Sequence, residues 1–191
     1  LNMGSRERTV WAFLLGAALA AMGFFVARGA TFHSSEAQAG SDFRKTKEEA
    51  MLLASERLRA QDWSGAEDLY SKAVGCAPED WATWDGRALA RMGIGNYSGA
   101  LDDFSRAISL NNTTANLHDH HGVAMAKLCR FQEAVSDFST AISISPSVGG
   151  YHFHRAQALE HCGDLNAAQS DYEKAIEMIN PTDFMRQVAI Q

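Results

Sequence analysis

The fold class this sequence predicts is all-α, an array of antiparallel helix pairs, and three observations predict it. The stretch 134–142, Ala-Val-Ser-Asp-Phe-Ser-Thr-Ala-Ile, is a near copy of 100–108, Ala-Leu-Asp-Asp-Phe-Ser-Arg-Ala-Ile, at an offset of 34 residues. The same skeleton, a small residue, an aromatic four places on and a small residue three places after that, returns one period earlier at Ala66, Tyr70 and Ala73. It returns one period later at Ala168, Tyr172 and Ala175. Between these stretches lie Gly, Asn and Asp, which end one helix and cap the next. A unit of this length holds two helices and cannot bury its own apolar face, so several must stack into one continuous core.

The chain has 191 residues with a net charge of −6, and 46% of them are apolar. Acids and bases are interleaved, and no basic stripe of the kind that binds nucleic acid is present. After a short flank (1–9), residues 10–27 carry no charge. This run predicts a hydrophobic N-terminal helix of about the shortest length that spans a bilayer. Arg6 and Arg8 precede it and Arg28 follows, with Trp11, Phe24 and Phe25 near its ends, where interfacial aromatics belong. It reads as a single-pass membrane anchor. The alternative is a cleaved signal for secretion or the periplasm, for which Ala37-Gln38-Ala39 would be the site, although that site lies far beyond the apolar run. The near flanking arginines favour a cytoplasmic N-terminus, and counting on to Arg44, Lys45 and Lys47 reverses the vote. Residues 28–42 read as a flexible linker.

The repeat domain is expected over 43–182, in units 47–80, 81–114, 115–148 and 149–182. The first helix of unit one is expected to start early, near Phe43, with Ser41 as its cap. The code has a packing cause. Ala100 and Ala134 permit a short interhelical distance, Phe104 and Phe138 lie four residues on along the same face, and Ala107 and Ala141 make the next close contact. Each ring is expected to fill the gap toward the next unit. The first helices carry Ala54, Ala88, Gly122 and Ala156 at their close contact, and Gly122 costs about 1 kcal/mol of helix propensity there. Trp63, Tyr97, Phe131 and Leu165 open the second helices and are expected to cover the corner between the two helices of a unit. Pro78 and Pro146 close units one and three, and the slip to Pro181 predicts a slightly longer last helix. Residues 183–191 read as the start of a C-terminal capping helix, with Phe184 and Val188 on one face.

With the small-aromatic-small code, the 34-residue period and Trp84 at the aromatic place of a first helix, the chain resembles the tetratricopeptide repeat (TPR) family over 43–182. The resemblance implies a right-handed superhelix and a non-catalytic scaffold that binds a partner peptide or helix in its concave groove. It places Asp85, Leu89, Met92, Asn116, Asp119 and His120 on the inward face, followed by Val123, Phe153, His154, Gln157 and Glu160. Leu89, Met92, Val123 and Phe153 would take apolar anchors, and Asp85, Asp119 and Glu160 would favour basic residues on the ligand. Chaperone C-terminal tails are not expected as partners. The places matching the family's cationic clamp hold Met51, Ser55, Gly86, Asn116 and His120, or one register on Asp85, Leu89, His120, Gly150 and His154.

His118 and His152, and likewise His120 and His154, occupy equivalent places one period apart. His118 and His152 stand where the first-helix aromatic belongs and read as packing residues. His120 and His154 are expected to face each other across the groove, and with Asp119 they form a weak alternative for a metal- or pH-responsive site. A further alternative is an assembly factor that binds through its outer faces. No phosphate loop, nucleophile elbow or zinc-protease motif is present, so no enzyme and no cofactor are expected. Cys76, Cys129 and Cys162 form neither a zinc framework nor an obvious disulfide set, and they read as small packing residues.

Overall fold

The computed structural model describes residues 46–179, and every regular element among them is helical. The apolar run 10–27, the linker, the start at Phe43, Pro181 and the capping segment 183–191 lie outside the described residues. The helices follow in chain order as α1 (46–59), α2 (Trp63–Cys76), α3 (Trp81–Ile94), α4 (Tyr97–Leu110), α5 (Ala115–Lys127), α6 (Phe131–Ile144), α7 (Gly149–Cys162) and α8 (Leu165–Ile179). The second helices α2, α4 and α6 have 14 residues each and α8 has 15.

From α2 to α8, consecutive helices pack on one another. Among helices two apart, only α3 with α5 and α5 with α7 touch. First helices therefore stand closer together than second helices, and the array curves with α3, α5 and α7 inside. Alanines make the close approach possible: Ala54, Ala66, Ala88, Ala100, Ala134 and Ala156 are fully buried. The rings lie between these layers, with Phe104 and Phe138 wholly buried and Tyr70 nearly so. Phe138 presses on Gly122 of its own unit, where a Cβ would come within 2.8 Å of the ring. Tyr70 reaches forward over Gly86 of the next unit, where a Cβ would stand 2.2 Å from the ring. Phe104 and Phe138 make the same forward contact with the rings of His120 and His154, at 5.8 and 5.6 Å between centroids. The rings thus fill the gap toward the next unit, as the spacing predicts.

The corner residues behave differently from the sequence expectation. Trp63 lies against Gly93 of the next unit, and Phe131 stacks on His161 of the next unit at 4.2 Å and 11°. Curvature carries the end of each following first helix over this place, so the residue covers a junction between units. Leu165 has no later unit among the described residues and is 64% exposed.

The turns inside each unit share one backbone device. Gln61, Gly95, Cys129 and Gly163, all one period apart, have φ of 59°, 90°, 60° and 84°. This left-handed residue ends the first helix, and the next residue caps the second. Asp62 accepts from the Gly65 amide, Asn96 from the Gly99 amide and Asp164 from the Ala167 amide. In unit three Arg130 makes no such bond. Cys129 is exposed in this turn and Cys76 and Cys162 are half-buried, so the cysteines are not core packing residues; all three are free. A left-handed conformation costs a non-glycine residue about 1–2 kcal/mol. Cys129→Gly should therefore raise the unfolding free energy by up to about 1 kcal/mol, read as a higher urea midpoint.

Ion pairs tie the two helices of a unit together. Asp103 on α4 takes two bonds from Arg87 and one from Arg91, which also reaches Glu67. Arg155 grips Asp171 in the equivalent place of unit four, and His121 meets Asp137 at 2.7 Å in unit three. Burial alone would raise the Asp171 carboxyl, but the bonds from Arg155 and His152 outweigh it and hold its pKa below the usual range. In unit one the same two places hold Leu53 and Leu69.

Candidate functional site

The first helices supply the inner face, and a cavity of about 400 Å3 opens between α5 and α7. Its floor is apolar, made by Phe138 and Phe131 of α6 with Val123, Ala126 and Ala158. Lys127, His154, Gln157, Glu160 and His161 form its polar rim. The size falls within the roughly 300–1,000 Å3 of ordinary ligand pockets. Four of the expected groove residues line it: Val123, His154, Gln157 and Glu160. Leu89 and Met92 do not line it; like Val123 they pack against the central core cluster and are half-buried. Asn116 accepts a hydrogen bond from the Tyr151 hydroxyl, which joins α5 to α7. Phe153 is 42% exposed and meets Tyr172 edge-on at 5.8 Å. Sequence reading missed Phe131 and His161 as cavity residues. Their contact spans 30 residues and depends on the angle between units, which no local pattern encodes.

The histidines do not pair with each other. His120 Nδ1 lies 3.1 Å from Asp85 of α3, and His154 Nδ1 lies 2.7 Å from Asp119 of α5. The bonded residues are 35 apart in both cases, so one inter-unit link occurs twice along the inner face. The expectation of facing imidazoles fails because each ring is drawn back to the carboxylate of the unit before it. Among the described residues, no three His, Cys, Asp or Glu side chains are grouped to hold a metal. His118 Nε2 lies 3.3 Å from the Asn112 carbonyl, and Trp84 Nε1 donates to the Pro78 carbonyl, so both latch the preceding loop. His152 is buried against Asp171.

Burial disfavours a charged His120, but the hydrogen bond to Asp85 and the charges of Asp85 and Asp119 outweigh it and raise its pKa. A raised folded-state pKa contributes stability that is complete below the unfolded pKa and is lost as pH rises through the folded one. In Asp85→Asn, the His120 imidazole should therefore titrate at lower pH in an NMR titration. The stability difference from wild type should be largest at acid pH and shrink toward alkaline pH.

The helix order and curvature have counterparts among solved structures. The family model for the tetratricopeptide repeat matches residues 150–181, which span α7 and α8. The last helix pair thus matches a tetratricopeptide repeat. The crystal structure of MamA superposes with a TM-score of 0.67 at 20% identity, covering 72% of this chain and 80% of that one. MamA 41-end from Desulfovibrio magneticus RS-1 gives 0.67 at 16%, covering 72% and 77%. The Arabidopsis OM64 TPR domain gives 0.61 at 18%, covering 62% of this chain and 98% of that domain. A comparison with curated proteins finds no match. At these identities the likeness shows the fold, a superhelix of TPR units. Among the described residues, no helix is long and apolar enough to cross a membrane.

Proposed function

We propose that this TPR array is a non-catalytic protein-interaction scaffold that holds a partner segment on its concave face, tethered to a membrane by residues 10–27. TPR domains generally bind proteins, and the observation that carries the reading here is the open cavity between α5 and α7, apolar below and polar at the rim. Such a site suits an apolar anchor residue of a peptide or helix, with backbone and polar groups meeting His154, Gln157 and Glu160. The uncharged run with its basic flanks supports the tether.

Proximity labelling on the intact chain identifies neighbours and compartment together. Val123→Glu, in the cavity wall, should then lower the affinity of a true groove partner at least about tenfold, which is about 1.4 kcal/mol. Val123 also packs against the central core cluster, so the affinity is compared at a temperature where circular dichroism shows the variant folded. Undiminished binding by this variant would move the contact to the outer helices.

A further inference from the structure

The geometry points to the twin Asp85–His120 and Asp119–His154 pairs as a proton-gated reader of a cationic partner segment, bound while the imidazoles are neutral and released when they are protonated. This rests on the concave-face binding proposed above and adds the charge of the partner and the condition for its release. Both pairs bridge consecutive first helices of the inner face, and both engage Nδ1 with a carboxylate. In the neutral ring Nδ1–H then donates to the aspartate, and Nε2 is left as an acceptor. Neither Nε2 has a hydrogen-bond partner among the described residues, and no buried side-chain nitrogen or oxygen there lacks one. Each Nε2 is therefore reachable from the groove, consistent with side-chain exposures of 30% for His120 and 35% for His154.

Protonation cancels the negative charge of each pair and reverses its hydrogen-bond sense. A neutral imidazole with its aspartate carries one negative charge and offers an acceptor, which suits a lysine or arginine of the ligand. A protonated imidazole with its aspartate is neutral overall and offers only a donor, which repels that cation locally. The surroundings do not mask the change. Asp85 faces His120 from α3, and Asp119, the partner of His154, also acts on His120, while the rings of Phe104 on α4 and Phe138 on α6 meet the two imidazoles. Glu160 and Lys127 at the cavity rim offset one another. The phenols beside the two aspartates are kept neutral, Tyr70 by burial and Asp85 and Tyr151 by burial and Asp119. The other two His–Asp pairs, His121–Asp137 and His152–Asp171, lie between the helices of a unit rather than between consecutive inner helices.

The test is a random peptide library displayed on phage and selected on the full chain at about pH 8, then challenged at about pH 5.5. Clones that Val123→Glu no longer captures are groove binders, and these should be enriched in lysine and arginine. Their affinity should fall at least about tenfold on acidification. In His120→Gln/His154→Gln, with helicity checked by circular dichroism, they should still bind but with a markedly shallower pH profile, His161 being the imidazole left at the cavity rim. Independently of that variant, a bound clone peptide should lower the pKa of the His120 imidazole in an NMR titration, since linkage is reciprocal. Groove clones without basic enrichment, with pH-independent affinity, or leaving the His120 imidazole unshifted overturn the inference alone. Clones indifferent to Val123→Glu, or no enriched clones, overturn the concave-face reading with it.

Discussion

Phe104→Ala should lower the unfolding free energy by about 3–5 kcal/mol, the range for truncating a buried aromatic. Phe104 is fully buried and sits in the central cluster with Ala88, Ala100, Ala124 and Phe138. It also meets His120 of the following unit, so its loss opens a void within a unit and at a junction together. The alanine layers cannot close that void, because their helices are already in contact. In an array whose stability is a sum of unit and junction energies, damage at a junction also uncouples the ends. Urea denaturation should show a lower midpoint and a broader transition than wild type. A variant unfolding at the wild-type midpoint would remove the ring from the core. Tyr172→Phe should cost far less, since Tyr172 is only partly buried and its hydroxyl bond to Glu160 is exposed.

Asp103→Ala should cost about as much, roughly 3–5 kcal/mol, for an electrostatic reason. The carboxylate side chain is 3% exposed and takes three bonds from the guanidinium groups of Arg87 and Arg91. Removing it takes the shared carboxylate from two cations at a half-buried interface, leaving Arg91 with Glu67 and the Gly99 carbonyl and Arg87 with the face of Trp84. Desolvation of an unpaired charge costs more than the pair itself gains, so replacing both partners is expected to be milder. Unit one supplies the pattern, since Leu53 and Leu69 stand in the same two places. Arg87→Leu/Asp103→Leu should recover at least about half of the loss in thermal unfolding. Equal destabilisation by the single and double variants would mean that the carboxylate acts on the fold without Arg87.

Much of this was legible in the chain, and the reason differs by element. The small and aromatic positions could be read because the same local demand is repeated at each unit: Ala100, Phe104 and Ala107 are buried like Ala134, Phe138 and Ala141, and the two rings meet equivalent histidines. The left-handed turn was only half legible. Gly95 and Gly163 announce it, but Gln61 and Cys129 hold the same conformation under tertiary constraint and carry no sequence signal. Histidine positions could be read and their partners could not. His120 and His154 were expected to face each other, whereas each turns to an aspartate 35 residues back. The choice depends on the rotation of one unit against the next, to which a repeat pattern is blind.

By itself the sequence determined that the chain counts in 34s, that each count is a pair of helices, and which alanines and rings lie between them. Those properties follow from helical periodicity and side-chain size, which act over a few residues. Only the tertiary structure decided that the first helices crowd the inner side, that Phe131 and Trp63 seal junctions, and that the cavity opens between α5 and α7. These depend on the angle between neighbouring units. That angle is the sum of many contacts between side chains far apart in the chain, and no single residue carries it.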